Sequence, residues 1–133
     1  MATPLLDNVT LTANAVDNSA EFELKNSMGL VVHLVYNKGT ENHMHIQVSF
    51  STIKDDDGAE IWCDWARINQ VSGSDHHVIE NDHFRIKIAG NYRFPLIPIS
   101  PREDKIRIRL YADTPGAAAG TATIYIVNDK YTY

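Results

Sequence analysis

The chain has 133 residues, 44% of them hydrophobic and 22% charged, which suits one folded domain with a real core. A formal net charge of −5 argues against binding nucleic acid through its phosphates. The single cysteine, Cys63, excludes an intrachain disulfide, and no apolar run approaches the roughly 20 residues of a membrane helix.

Residues 1–8 read as an N-terminal arm without the basic start and long apolar stretch of a secretory signal. Candidate strands then follow at 9–15, 20–24, 30–36, 43–52, 60–68, 76–79, 83–88, 92–97, 105–111 and 121–127, and residues 128–133 read as a tail. The clearest is Lys105-Ile106-Arg107-Ile108-Arg109-Leu110, which alternates polar and apolar without a slip. His43 to Phe50 and His83 to Ile88 do the same. Side chains on a strand point to opposite faces with period two, so each run has one oily face and one wet face. Met44, Ile46, Val48, Phe50, Phe84, Ile86, Ile88, Ile106, Ile108, Leu110, Ile124 and Ile126 are therefore the expected core.

Turn signals separate the runs: Asp17-Asn18-Ser19, Asn26-Ser27, Asn37-Lys38-Gly39, Asp55-Asp56-Asp57-Gly58, Ser72-Gly73-Ser74-Asp75, Glu80-Asn81-Asp82, Ala89-Gly90-Asn91 and Pro115-Gly116. Residues 30–35 are apolar on both faces except His33, which predicts a mid-sheet strand. Pro95, Pro98 and Pro101 predict an edge strand or rim crossing, because proline cannot donate to a ladder. The expected fold is all-β: one antiparallel sandwich of jelly-roll type with eight to ten strands, a partly open barrel coming second.

Few residues point to chemistry. By period, His43 and His45 share the outer face, where they read as ordinary polar residues; a metal site would need a third ligand from His76, His77 or His83. Asp55-Asp56-Asp57-Gly58 lacks the alternate spacing of a calcium loop and reads as a hairpin tip. Cys63, in phase with Ile61 and Trp65, reads as a small buried hydrophobe. Trp62, Trp65, Tyr92, Tyr111 and Tyr125 supply aromatics for a sugar platform, but Trp62 and Trp65 are three apart and should point to opposite faces. No Gly-x-Ser-x-Gly and no glycine-rich phosphate loop is present. The expectation is a non-enzyme with no cofactor and no metal.

Charge is the remaining signal. Residues 1–60 hold 3 Lys+Arg against 9 Asp+Glu, a net of −6, while residues 61–133 hold 9 against 8, a net of +1. Arg85 and Lys87 share an outer face, and so do Lys105, Arg107 and Arg109. If those strands are neighbours they form a basic patch able to dock on an acidic partner. Tyr131 and Tyr133 add large side chains to the tail, where they can anchor on a neighbour.

Tyr36-Asn37-Lys38-Gly39-Thr40-Glu41 leads into the alternating run to Phe50, and Gly90-Asn91-Tyr92-Arg93-Phe94-Pro95 precedes the basic strand at 105–109. Together these resemble the small β-sandwich structural proteins of tailed bacteriophage virions, in which a TKG-E turn leads into a long strand. The resemblance implies a virion component, made in the host cytoplasm, with no catalytic residues. It leads to the expectation of a capsid decoration or cement protein. That protein would dock through Arg85, Lys87, Arg107, Arg109, Tyr131 and Tyr133 on the major capsid protein or another virion protein, as a homo-oligomer with a trimer favoured, binding neither nucleic acid nor membrane. The alternatives are a carbohydrate- or receptor-binding module of a tail or baseplate, a neck or tail component, and a metal enzyme of cupin-like shape.

Overall fold

A computed structural model describes residues 3–24, 27–65, 77–80, 83–96, 105–113 and 118–130. These form ten strands: β1 (Leu6–Thr10), β2 (Asn18–Glu23), β3 (Ser27–Asn37), β4 (Met44–Lys54), β5 (Glu60–Trp62), β6 (His77–Glu80), β7 (His83–Ile86), β8 (Gly90–Leu96), β9 (Lys105–Ala112) and β10 (Thr121–Lys130). One sheet runs β1-β10-β3-β8; the other runs β2-β9-β4-β7-β6, with β5 pairing β4. All the pairings are antiparallel. Setting β5 and β6 aside leaves two four-stranded sheets, β1-β10-β3-β8 and β2-β9-β4-β7, with most connections crossing between them. That is the strand order of a jelly roll.

The alternation of β9 shows how sequence becomes layer. Ile106, Ile108, Leu110 and Ala112 are buried, whereas Lys105, Arg107, Arg109 and Tyr111 are half-buried on the other face. β9 pairs β4 from Met44↔Ala112 to Ser51↔Lys105, so Met44, Ile46 and Val48 fall on the same inner face. Opposite them pack Leu30, Val32, Leu34 and Tyr36 of β3, Tyr92 of β8, and Ala122 and Ile124 of β10. Burying each large aliphatic side chain stabilises the sandwich by about 1.5–3 kcal/mol. The expected mid-sheet strand is β3, flanked by β10 and β8, and the proline-bearing strand is the sheet edge β8, where Pro95 faces Val31. Phe50 and Ile126 are half-buried against the core rather than inside it.

Several expectations are corrected at the strand ends. The arm drawn over 1–8 gives its last three residues to β1, whose Leu6 pairs Ile124. The tail drawn from 128 gives three to β10, which continues along β3 to Lys130↔Ser27. β7 stops at Ile86, so Ile88 leaves the core and is 45% exposed. The backbone bends there before β8, and the Ile88 carbonyl accepts a hydrogen bond from the Tyr92 hydroxyl at 2.6 Å. Tyr92 is a core residue, which removes it from any sugar platform. The hairpin tip behaves as expected: Asp55 Oδ1 accepts from the Asp57 and Ala59 amides, and Gly58 takes φ of +84°. His76, the turn at 72–75, Pro98, Pro101, Pro115-Gly116, Tyr131, Tyr133 and the side chains of His77, His83 and Phe84 lie outside the described residues.

The Lys38-Gly39-Thr40-Glu41 turn has a structural task. Glu41 is fully buried and accepts hydrogen bonds from the Tyr36 hydroxyl, the Gly39 amide at 2.9 Å and the Gly120 amide at 2.7 Å. Burial works against its charge, but these three donors outweigh burial and hold the carboxyl below its ordinary value. Burial, with the same Glu41 contact, pushes the Tyr36 hydroxyl well up. A side chain on Gly120 would stand 2.5 Å from the Asn37 carbonyl and 2.6 Å from Glu41 Oε2, so only glycine allows the two loops to touch.

Candidate functional site

The outer face of β4 is polar, yet it is covered. On β4, His45, Gln47, Ser49 and Ser51 are all buried, although they point away from the core. The cover is the segment after β5. Pairing of β4 with β5 slips between Ser51 and Ile53, and β5 ends at Trp62 after three residues. The chain then runs back across β4: the Cys63 amide donates to the Phe50 carbonyl at 3.0 Å, and Ser49 Oγ donates to the Cys63 carbonyl at 2.5 Å.

This crossing overturns two expectations. Cys63 is exposed, not buried, because its backbone rather than its side chain faces the sheet. Trp62 and Trp65 converge, because the strand period ends at Trp62. The Arg107 guanidinium lies 4.6 Å from the Trp62 ring centre and 4.4 Å from that of Trp65, and the Arg109 guanidinium lies 4.0 Å from Trp65. Arg109 Nε then donates to Gln47 Oε1 at 2.6 Å. Trp62, Arg107, Trp65, Arg109 and Gln47 thus form a continuous chain of contacts over the sheet. Each cation–π contact contributes about 0.5–2 kcal/mol, and together they help to fix both guanidiniums.

At the top of the same face His45 is 5% exposed and stacks on Tyr111, with ring centres 4.6 Å apart. Its Nε2 lies 2.9 Å from Asp113 Oδ1, and His43 Nδ1 lies 3.1 Å from Asp113 Oδ2. The outer-face assignment of His45 was right by period, but the residue is buried there, not an ordinary surface polar group. Burial raises the Asp113 carboxyl, and the two histidines outweigh it and draw it down. Among the described residues no group of three or more ligand-type side chains is placed to hold a metal ion.

The basic residues separate into three sets. Arg107 and Arg109 are in the tryptophan ladder. Arg85 of β7 stands opposite His45 on β4, so it shares this face, but β4 lies between β7 and β9 and the two basic strands are not neighbours. Lys87 is exposed beyond the end of β7. Tyr131 and Tyr133 lie outside the described residues. Beside Trp65 the face opens into a cleft of about 470 Å³, walled by Arg107, Arg109, and Ser19 and Glu21 of β2. Burial draws the Arg107 guanidinium down from its ordinary value, and Glu21, its cross-strand partner, opposes that. The ladder was missed in the sequence because it depends on where β5 ends. The i, i+2 arginines of β9 and two tryptophans three apart were the only visible signal.

No family model and no curated protein matches the chain. Solved structures similar to it include CorA, a surface-associated copper-binding protein of Methylomicrobium album BG8, at 10% identity over 92% of each chain and a TM-score of 0.49. Another is the VP2 subviral particle of infectious bursal disease virus, at 12% identity over 95% of this chain and 31% of that one, TM-score 0.46. A third is the acetyl xylan esterase Est2A of Butyrivibrio proteoclasticus, at 11% identity over all of this chain and 34% of that one, TM-score 0.39. Structures from virus particles are thus among its neighbours, but likenesses this distant leave function to the residues themselves.

Proposed function

We propose that the chain is a non-enzymatic virion structural protein, a decoration or cement module of a tailed-bacteriophage capsid that docks on the shell as an oligomer. The observation that carries this reading is the Arg107–Trp65–Arg109 face. Two guanidiniums are held rigid at the surface of a jelly roll, a preorganised basic patch that lowers the ordering cost of association. The polar contacts support a structural role too: buried Glu41 ties two loops together and half-exposed Asp113 pairs two histidines. Jelly rolls recur in viral capsids and in lectins, a fold-level analogy that names both readings and chooses neither. Mass spectrometry of a purified particle is the test. The expected result is the chain at a copy number set by the shell's symmetry; a free protein never recovered with particles would overturn it.

The second reading, a carbohydrate- or receptor-binding module of the tail or baseplate, is favoured by the cleft with Trp65 in its wall. A glycan array answers it: saturable binding of a neutral glycan by a monomer that ignores particles would make this the function.

A further inference from the structure

Resting on the oligomer in that reading, we propose that the outer face of β10 and β3 is where two copies of the chain pack, sheet on sheet, about a two-fold axis. A strand with one wetted face alternates apolar and polar. On these two strands the outward positions are apolar as well: Val31 and Val35 on β3, Tyr125 and Val127 on β10. Val31, Val35 and Tyr125 are half-buried and Val127 is 53% exposed, so water reaches all four in the single chain. A second copy fits this face by register and by charge. Tyr125 pairs His33 across the two strands, and Val127 pairs Val31. A two-fold axis between the strands and parallel to them exchanges the members of each pair. Tyr125 then meets His33 of the second copy, and Val127 meets its Val31, across the spacing of about 10 Å between packed sheets. The same axis lays the sheet's two edges, β1 and β8, over each other. β1 carries Asp7 and β8 carries Arg93, both exposed and neither in an ion pair among the described residues. Arg93 stands opposite His33, level with Tyr125, and Asp7 lies in the bulge of β1 beside Thr123. Their offset along the axis is two positions, about 7 Å, within reach of an arginine side chain. Opposite charges thus face each other twice in the dimer, whereas an axis across the strands would lay β1 on β1 and bring like charges to one edge. Four strands, with β8 seven residues long, give two such faces roughly 900 Å² together. That is at the low end for a specific interface, so the association should be weak.

Sedimentation equilibrium of the full chain from about 1 μM to about 1 mM tests this. The mass should rise from the 14.9 kDa of one chain toward twice that value. Val127→Lys sets an unpaired charge in the face and should weaken association at least about tenfold. Asp7→Lys and Arg93→Glu should each weaken it about tenfold, since either swap makes two like-charge contacts, and the double variant should restore it. Within one chain β10 and β3 separate these two residues, so the rescue reports contact between copies. All three positions are exposed, and the variants should melt like the parent at low concentration. One chain's mass at every concentration, a mass of three chains, association untouched by Val127→Lys, or single swaps that the double variant does not rescue would each overturn the proposal. The wider reading fails separately: a dimer with these properties that is never found on particles leaves the interface standing and removes the virion assignment. A chain found on particles but monomeric up to about 1 mM does the reverse.

Discussion

The two outer faces of this sandwich differ in sequence and in environment, and the more polar one is the better covered among the described residues. On β10 and β3, Tyr125, Val127, His33 and Val35 border an open hollow of about 310 Å³, and Val127 is 53% exposed. On β4 and β9, Ser49 and Ser51 are essentially inaccessible, and the arginines stack on indoles. Part of the difference lies just after β5: the Cys63 backbone returns over its own sheet to bond Phe50 and Ser49, whereas the described residues lay nothing across the other. Alternation therefore fixes which way a side chain points, and the loops decide whether water reaches it.

The largest effects should come from residues beneath both faces. Glu41→Ala leaves the Tyr36 hydroxyl and two amides buried without their acceptor, and should cost about 3–5 kcal/mol in a denaturant melt. Ile108→Ala, fully buried in β9, should cost about 2–5 kcal/mol. A loss under about 0.5 kcal/mol from the latter would mean the inner face is misplaced.

Acid should separate the faces. Glu41 and Asp113 both have carboxyls held below their ordinary values of 4.5 and 3.8. A depressed carboxyl contributes stability above its unfolded value, and that contribution is lost as pH falls through the folded one. The melting temperature should therefore be level from neutral pH to about pH 5 and fall below it. Asp113→Asn should flatten part of that fall. An unchanged acid limb in both Asp113→Asn and Glu41→Gln would show that these contacts are not what acid breaks.

Much of the fold was readable before the structure. The two-residue period of 105–110 places Ile106, Ile108 and Leu110 in the core, and Pro95 marks an edge. What was not readable depends on where strands stop. Ile88 keeps the period of β7 but lies two residues past its end. Trp65 keeps the spacing of an opposite face but follows a strand of three residues. The site was legible to the extent that Arg107 and Arg109 share a face; their tryptophan partners were hidden because the contact spans more than forty residues of chain.

A middle-sized effect tests the cover itself. Trp65→Ala removes the ring beneath both guanidiniums and should cost about 1–3 kcal/mol, with the remaining tryptophan's emission shifted to longer wavelength as water enters. Tyr125→Ala, the matched aromatic deletion on the open face, should cost less. Equal losses would mean the loop after β5 protects nothing.

The smallest effect is expected from Val127→Ala on the open face. An exposed valine away from caps, ion pairs and core should change stability by no more than about 0.5 kcal/mol. That expectation holds for the single chain, and the proposed oligomer supplies the way to break it. If copies associate through the β10–β3 face, Val127 is buried in the assembly, and the cost of removing its methyl groups rises with protein concentration by mass action. Melts of parent and variant at two concentrations about a hundredfold apart decide the matter. A difference that stays small at both leaves this face open to water and puts the contacts between copies elsewhere. A difference that grows with concentration makes it the oligomer interface, covered by another copy as the opposite face is covered by its own loop.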